Sequence, residues 1–233
     1  MVLAVPDLFK PWQMPGQCAI CRGWGRERLC SACLRRYAPA QTRCFTCALL
    51  MPRSGLKRCG RCIQHPPPLD RTVAAWDYAF PWDGLVQRFK FQARTELSGA
   101  LAERLGQAIG EADADLLLPV PLSAQRLRER GYNQSLVLAR SLARRLQVPC
   151  SGDLLLRVRE TSQQAHLKLA ERAANVRGAF AIEPLRLREL VGQRVAVVDD
   201  VMTSGATLFE IARVLSQAGA ASVQAWVLAR TPE

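Results

Sequence analysis

The chain has 233 residues, 49% of them hydrophobic and 22% charged, a balance that excludes wholesale disorder and suits one large domain or a small one joined to a medium one. No apolar run of 18 residues occurs, and the opening "MVLAVPDLFKPWQMPG" lacks the basic segment of a signal peptide, so a cytoplasmic protein with no integral membrane segment is expected. The net charge of +12 is uneven: residues 1–69 hold eleven Lys and Arg against two acids, an asymmetry that predicts a polyanionic partner for this part.

Eight of the nine cysteines fall between 18 and 62 as four pairs, "CAIC", "CSAC", "CFTC" and "CGRC". In a secreted chain they would suggest disulfides and in a redox protein exchangeable thiols, but four evenly spaced C-x₂-C pairs in a cytosolic chain favour zinc. Each pair makes a knuckle whose two sulfurs face one ion, and two knuckles complete a tetrahedron. Cys18, Cys21, Cys30, Cys33, Cys44, Cys47, Cys59 and Cys62 are therefore expected to hold two structural zinc ions. Sequential pairing closes the shorter loops and is favoured, with a crossed arrangement the alternative. Bound metal would lower the formal charge of residues 1–69 to about +5. Arg22, Trp24, Arg26, Arg28, Arg35, Arg36, Tyr37, Arg43, Phe45, Arg53, Lys57, Arg58 and Arg61 interleave cations with aromatics. Such a surface can hold phosphates and stack the bases of single-stranded DNA, although the aromatics could equally form the small core of a ribbon.

Three prolines in "HPPPLD" cannot continue a helix or central strand. They suggest three parts: a double zinc ribbon over 1–64, a linker over 65–71 and a second domain over 72–233. In that domain 72–80 reads as a strand, and 83–109 has helical spacing through Leu85, Val86, Phe89, Leu97, Leu101, Leu105 and Ile109. A short apolar strand follows at 116–120, an amphipathic helix at 133–146, a buried strand at 195–198, a helix from Thr207 to Ala218 and a strand at 222–229. Alternating strands and helices with continuous apolar strands predict an α/β fold, a parallel sheet flanked by helices. Ligands of such sheets sit at the carboxyl ends of the strands.

"VAVVDDVMTSGATLFE", residues 195–210, places two acids at such an end. Asp199 and Asp200 repel each other, so a metal, a cation or a polyhydroxyl ligand must compensate. The turn that follows, Thr203, Ser204, Gly205, Ala206 and Thr207, offers hydroxyls and backbone N–H groups at a helix N-terminus, a cradle for an anion. Thr207 with Glu210 could instead be a capping box. Together the acids and the turn suggest a sugar phosphate. A Walker B strand also ends in acids, but the chain has no G-x-x-x-x-G-K-[ST] loop to accompany it.

"VAVVDDVMTSGAT" resembles the phosphoribosyl pyrophosphate (PRPP) motif of type I phosphoribosyltransferases. With the cysteine pairs, "RERGYNQS" and "ERAANVRGAF", the chain resembles the ComF/GntX family, which is linked to DNA uptake and utilisation. The resemblance implies that Asp199 and Asp200 meet the ribose hydroxyls, directly or through Mg²⁺, and that Val201, Met202 and the turn 203–207 surround the 5′-phosphate. Pro121, Leu122 and Ser123 of "VPLS" would form the pyrophosphate loop, helped by Arg126, Arg128 and Arg130. Residues 157–178 are expected to close as a flap, with Gln164, Lys168, Arg172 and Asn175 as candidate ligand contacts, although Lys168 and Arg172, at helical spacing, could equally be an exposed helix face. Lys90 could also reach the site. Gly131 and Asn133 would shape the entry to the next helix, the latter as an N-cap.

The expected function is PRPP binding in DNA uptake or utilisation, with the zinc region contacting single-stranded DNA and with uptake or recombination proteins as partners. The alternative is an active phosphoribosyltransferase of nucleotide salvage, releasing pyrophosphate as ribose 5-phosphate passes to an acceptor. Fold resemblance alone does not choose between them.

Overall fold

The computed structural model describes residues 16–52, 55–92, 94–160 and 174–232. Its contacts divide the chain into two compact units, Met1–Pro39 and Ala40–Glu233. This division differs from the sequence reading, which put the boundary at the proline run.

In the first unit β1 (Gly16–Gln17) pairs antiparallel with β2 (Trp24–Gly25), and a short helix α1 (Ser31–Tyr37) starts immediately after Cys30. The larger unit begins with a second version of the same device: a knuckle at Cys44–Cys47 and a short helix α2 (Gly60–Gln64) that starts immediately after Cys59. The residue after each knuckle, Arg22 or Ala48, has φ near +60° and donates its N–H to the carbonyl of the first cysteine, Cys18 or Cys44, at 2.9 and 2.8 Å. The cysteine region is thus one motif used twice.

The second copy is built into the larger unit. Thr72, on β3 (Arg71–Asp77), donates its N–H to the Phe45 carbonyl at 2.9 Å and its hydroxyl to the Thr46 carbonyl at 2.6 Å. Arg43 donates to Asp77 at 2.8 Å and to the Ala48 carbonyl at 3.0 Å. Ala48 and Leu69 lie in the same apolar cluster as the sheet. Residues 65–70, expected as a linker, lead straight into β3, and Asp70 exchanges hydrogen bonds with Val223 at 3.0 and 2.8 Å.

Beyond β3 come α3 (Trp82–Phe91), α4 (Ser98–Ile109), β4 (Leu116–Pro119), α5 (Ala124–Arg130), α6 (Gln134–Leu146), β5 (Leu155–Arg157), β6 (Phe180–Ile182), β7 (Arg194–Met202), α7 (Ala206–Gln217) and β8 (Ser222–Arg230). The single helical pattern expected over 83–109 is broken into two helices by a turn and a 3₁₀ segment at Thr95–Leu97. The hairpin of β5 and β6 and the helix α5 carry too few periodic apolar residues to announce themselves. The main sheet is parallel throughout in the order β3-β8-β7-β4. Val195, Ala196, Val197 and Val198 at its centre are fully buried, because helices cover both faces. Leu208, Ile211, Ala212 and Leu215 of α7 pack against one face, and α4 and α6, which pack on each other, cover the opposite one. Burying each Val or Leu here stabilises the fold by about 1.5–3 kcal/mol.

Candidate functional site

β7 continues past its apolar run to Met202, so Asp199 and Asp200 lie inside the strand rather than after it. Successive strand side chains point to opposite faces, and the two acids take different partners. Asp199 accepts from the Ser135 hydroxyl at 2.8 Å, and Asp200, 2% exposed, meets the Lys90 ammonium at 3.0 Å. Ser135 stands in the first turn of α6, where Asn133 is the N-cap, accepting from the Ser135 and Leu136 N–H groups. Burial, followed by the neighbouring Asp200 charge, pushes the Asp199 carboxyl up to about 7; Lys90 and Ser135 pull in the other direction. Two carboxylates this close are therefore held at an electrostatic cost that a cationic or hydroxyl-bearing ligand would relieve.

Around the acids lies a cavity of about 640 Å³. Pro121 and Leu122 line it from the turn after β4, whose Val120 carbonyl accepts from the Asn133 side chain at 3.0 Å. Arg126 and Arg130, one helical turn apart on α5, line it as well, together with Lys90. Burial draws the guanidinium pKa of Arg130 down, so an anion here meets a partly desolvated cation. Val201 and Met202 of β7 and Thr203, Gly205, Ala206 and Thr207 at the N-terminus of α7 also line it. Gly205 has φ +83° and is the N-cap of α7, with no side-chain cap. A Cβ there would stand 2.6 Å from both Met202 Cε and Phe209 Cζ, so glycine is required for the turn.

Ser123 and Ser204 do not line the cavity: Ser123 caps α5 by accepting the Arg126 N–H, and Ser204 accepts the Ala206 N–H, each at 3.4 Å. Thr207 lies inside α7, whose N-cap is Gly205, so it does not head a capping box, and Glu210 accepts the Gly178 N–H at 2.7 Å and pairs with Arg213. Asn175 is not among the lining residues, and its carbonyl accepts from Arg159. Gln164, Lys168 and Arg172 lie outside the described residues. Sequence reasoning missed Tyr78, Phe91, Gln134 and Arg157, which also line the cavity. Gln134 lies within "RERGYNQS" and Arg157 opens the segment expected as a flap, whereas only proximity reveals Tyr78 and Phe91. The Arg130 guanidinium lies 4.8 Å from the Phe91 ring centroid and donates to Gln134 at 3.1 Å.

The cysteines pair sequentially, Cys18, Cys21, Cys30 and Cys33 in one cluster and Cys44, Cys47, Cys59 and Cys62 in the other, with sulfurs within 4.8 Å of one another. Separations of 4.0 Å (Cys18–Cys33) and 3.7 Å (Cys21–Cys30, Cys47–Cys59) match the edge of a tetrahedron with Zn–S bonds of about 2.3 Å. The Cys30 and Cys59 N–H groups donate to the Cys18 and Cys44 sulfurs at 3.4 and 3.3 Å. Burial alone would raise these two thiols, but backbone donors outweigh it and bring Cys18 to about 6 and Cys44 to about 7. Both clusters fit zinc. In the first unit Arg22, Arg26, Arg28, Arg35 and Arg36 are exposed, and Trp24 is 75% exposed, so that ring is not core. Arg43 is committed to Asp77 and is not a surface cation.

A parallel sheet with paired acids on a central strand, followed by a glycine turn into a helix, defines a phosphoribosyltransferase-like domain, and the family description "Phosphoribosyl transferase domain" matches residues 133–233. The chain is 38% identical to "DNA utilization protein YhgH" of Salmonella typhimurium, over 94% of this chain and 98% of the relative. It is 34% identical to "Competence protein F" of Haemophilus influenzae, over 92% and 96%. The chain belongs to the ComF family. Among solved structures, one described as the allosteric regulatory enzyme of purine biosynthesis is 22% identical with a TM-score of 0.43, covering 61% of this chain and 30% of that one.

Proposed function

We propose that the cavity at the ends of β4 and β7 binds PRPP and that the protein uses it in the handling of DNA. The observation that supports this most directly is the pairing of opposite chemistries in one cavity: the carboxylates of Asp199 and Asp200, suited to ribose-like hydroxyls, line it together with Arg126, Arg130 and the α7 N-terminus, suited to phosphates. Two adjacent carboxylates are a donor set suited to Mg²⁺ arriving with a diphosphate rather than to a self-sufficient metal cage. When bound, the ion would screen the diphosphate charge. The protein's part is to hold the pentose at the acids and exclude water with the loops around it.

The exposed Trp24 and the arginines of the first unit support single-stranded DNA as the polymer contacted, through base stacking and phosphate pairing. A second reading, transfer of ribose 5-phosphate to an acceptor, is favoured by the Phe91 ring on the cavity wall, on which a planar acceptor could stack. Calorimetry of PRPP with Mg²⁺ tests the first reading: saturable heat lost in Asp199→Asn with Asp200→Asn is expected, and no heat with the parent chain overturns it. Pyrophosphate release in the presence of bases or single-stranded DNA tests the second.

A further inference from the structure

Arg230, the last residue of β8, is 1% exposed. Its guanidinium donates to backbone carbonyls from separate parts of the larger unit: Nε to Cys47 at 3.0 Å, and Nη1 to Met202 at 3.2 Å, to Thr203, and to Thr231 at 2.8 Å. Cys47 is a ligand position of the second cysteine cluster, and Met202 and Thr203 begin the turn that leads to Gly205 and α7. We propose that Arg230 is a positioning residue that hangs this cluster and the anion-facing turn on one side chain, so that metal loading at Cys44, Cys47, Cys59 and Cys62 sets the shape of residues 202–207.

The chemistry favours such a link. A guanidinium is a rigid planar fork with five N–H donors, so one arginine can tie several carbonyls whose spacing then becomes mutually fixed. A trans peptide is planar, with its C=O and N–H pointing in opposite directions. Holding the Met202 and Thr203 carbonyls on Arg230 therefore turns the N–H groups of the same two peptides, those of Thr203 and Ser204, away from it and fixes their direction. At the other end, the Cys47 carbonyl belongs to a knuckle whose shape depends on the four sulfurs of its cluster meeting at one ion. A charge buried this deeply is retained only while its acceptors stay in place. Loss of the knuckle would leave Arg230 short of an acceptor and free the turn to follow it. Zinc is usually considered a staple for its own small module, but here the staple is continuous with the ligand loop.

The link rests on the PRPP reading only for its consequence, not for its mechanics, and the test separates the two. Hydrogen exchange of the full chain without PRPP is measured for the parent, Arg230→Lys, which keeps the charge but loses the fork, and Cys59→Ser, which removes one ligand of the second cluster. Amides of 203–208 are expected to exchange at least about tenfold faster in both variants, while those of Val195–Val198 keep their protection. Unchanged exchange of the turn in either variant overturns the proposal. Should Cys59→Ser unfold the sheet as well, the parent decides through zinc release to a chelator, with Arg230→Lys as reference. By reciprocity, PRPP with Mg²⁺ tightens the binding of one of the two ions in the parent, read as equilibrium competition with the chelator, and of neither in Arg230→Lys. Equal tightening in both chains overturns the link. Absence of PRPP binding to the parent counts against the PRPP reading and leaves the exchange experiment to judge Arg230.

Discussion

Lys90 Nζ lies 3.0 Å from Asp200 Oδ2, an ion pair between residues 110 apart in the chain, with the aspartate side chain only 3% exposed. Lysine here neutralises the acid that a bound ligand or ion would otherwise neutralise. Removing one partner of a buried pair leaves an uncompensated charge. Lys90→Met is expected to destabilise the ligand-free chain by roughly 2–4 kcal/mol, and adding Asp200→Asn to recover most of that loss. Urea denaturation of both single variants and the double variant checks it; additive losses would mean that the pair carries no coupling.

The Asp199 carboxyl, raised to about 7, makes stability depend on pH. The folded chain holds a proton that the unfolded chain, with an ordinary aspartate value near 4, has released. The contribution is therefore complete below about pH 4 and is lost as pH rises through about 7. Thermal unfolding without ligand should show Tm falling between pH 5 and 8. Asp199→Asn should flatten that slope and raise Tm at pH 8 by roughly 2–6 °C, on the order of 1 kcal/mol or more, while PRPP binding disappears.

Gly205→Ala adds a Cβ at φ +83° against the ends of Met202 and Phe209. A cost of roughly 1–3 kcal/mol in stability is expected from the backbone strain, together with a loss of at least about tenfold in PRPP affinity, since the turn cannot keep its shape. Gly84→Ala, where a Cβ meets nothing within 4 Å, serves as the control. Calorimetry of both variants should show the affinity loss only in the first.

Trp24 offers an exposed ring in a unit whose described arginines are exposed as well. Trp24→Ala is expected to weaken single-stranded DNA binding by about 1–3 kcal/mol with little change in its salt dependence. Arg26→Ala with Arg28→Ala should instead flatten the salt dependence, by roughly 1.4 in the slope of log K against log salt for two lost phosphate contacts. Fluorescence anisotropy across a salt series distinguishes stacking from charge.

Much of the architecture was legible because it is written locally. Four C-x₂-C pairs announce two tetrahedral clusters, and the apolar run Val195–Val198 announces a central strand, since each signal needs only neighbouring residues. Asp199, Asp200 and the turn 203–207 are contiguous, and Arg126 and Arg130 share a face of α5, so they too could be named before any fold was known. Hydroxyls proved the least legible. Ser123 and Ser204 serve their own local backbone, and Ser135, on another helix, is the one that reaches Asp199. A hydroxyl looks the same in sequence whether it caps a helix or faces a ligand.

By itself, the order of residues determined the two four-cysteine clusters, the strand that carries the acids and the glycine turn beside them, because each depends on spacings of a few residues. Only the tertiary structure decided that Tyr78, Phe91, Gln134 and Arg157 join Lys90 and those acids around one cavity. It also decided that the second cysteine cluster is fastened by Arg230 to the turn before α7 rather than standing apart behind a proline linker. The physical reason is the same in both cases: these contacts close loops of tens to more than a hundred residues. Their partners are chosen by the packing of a parallel sheet, in which neighbours in space are seldom neighbours in sequence.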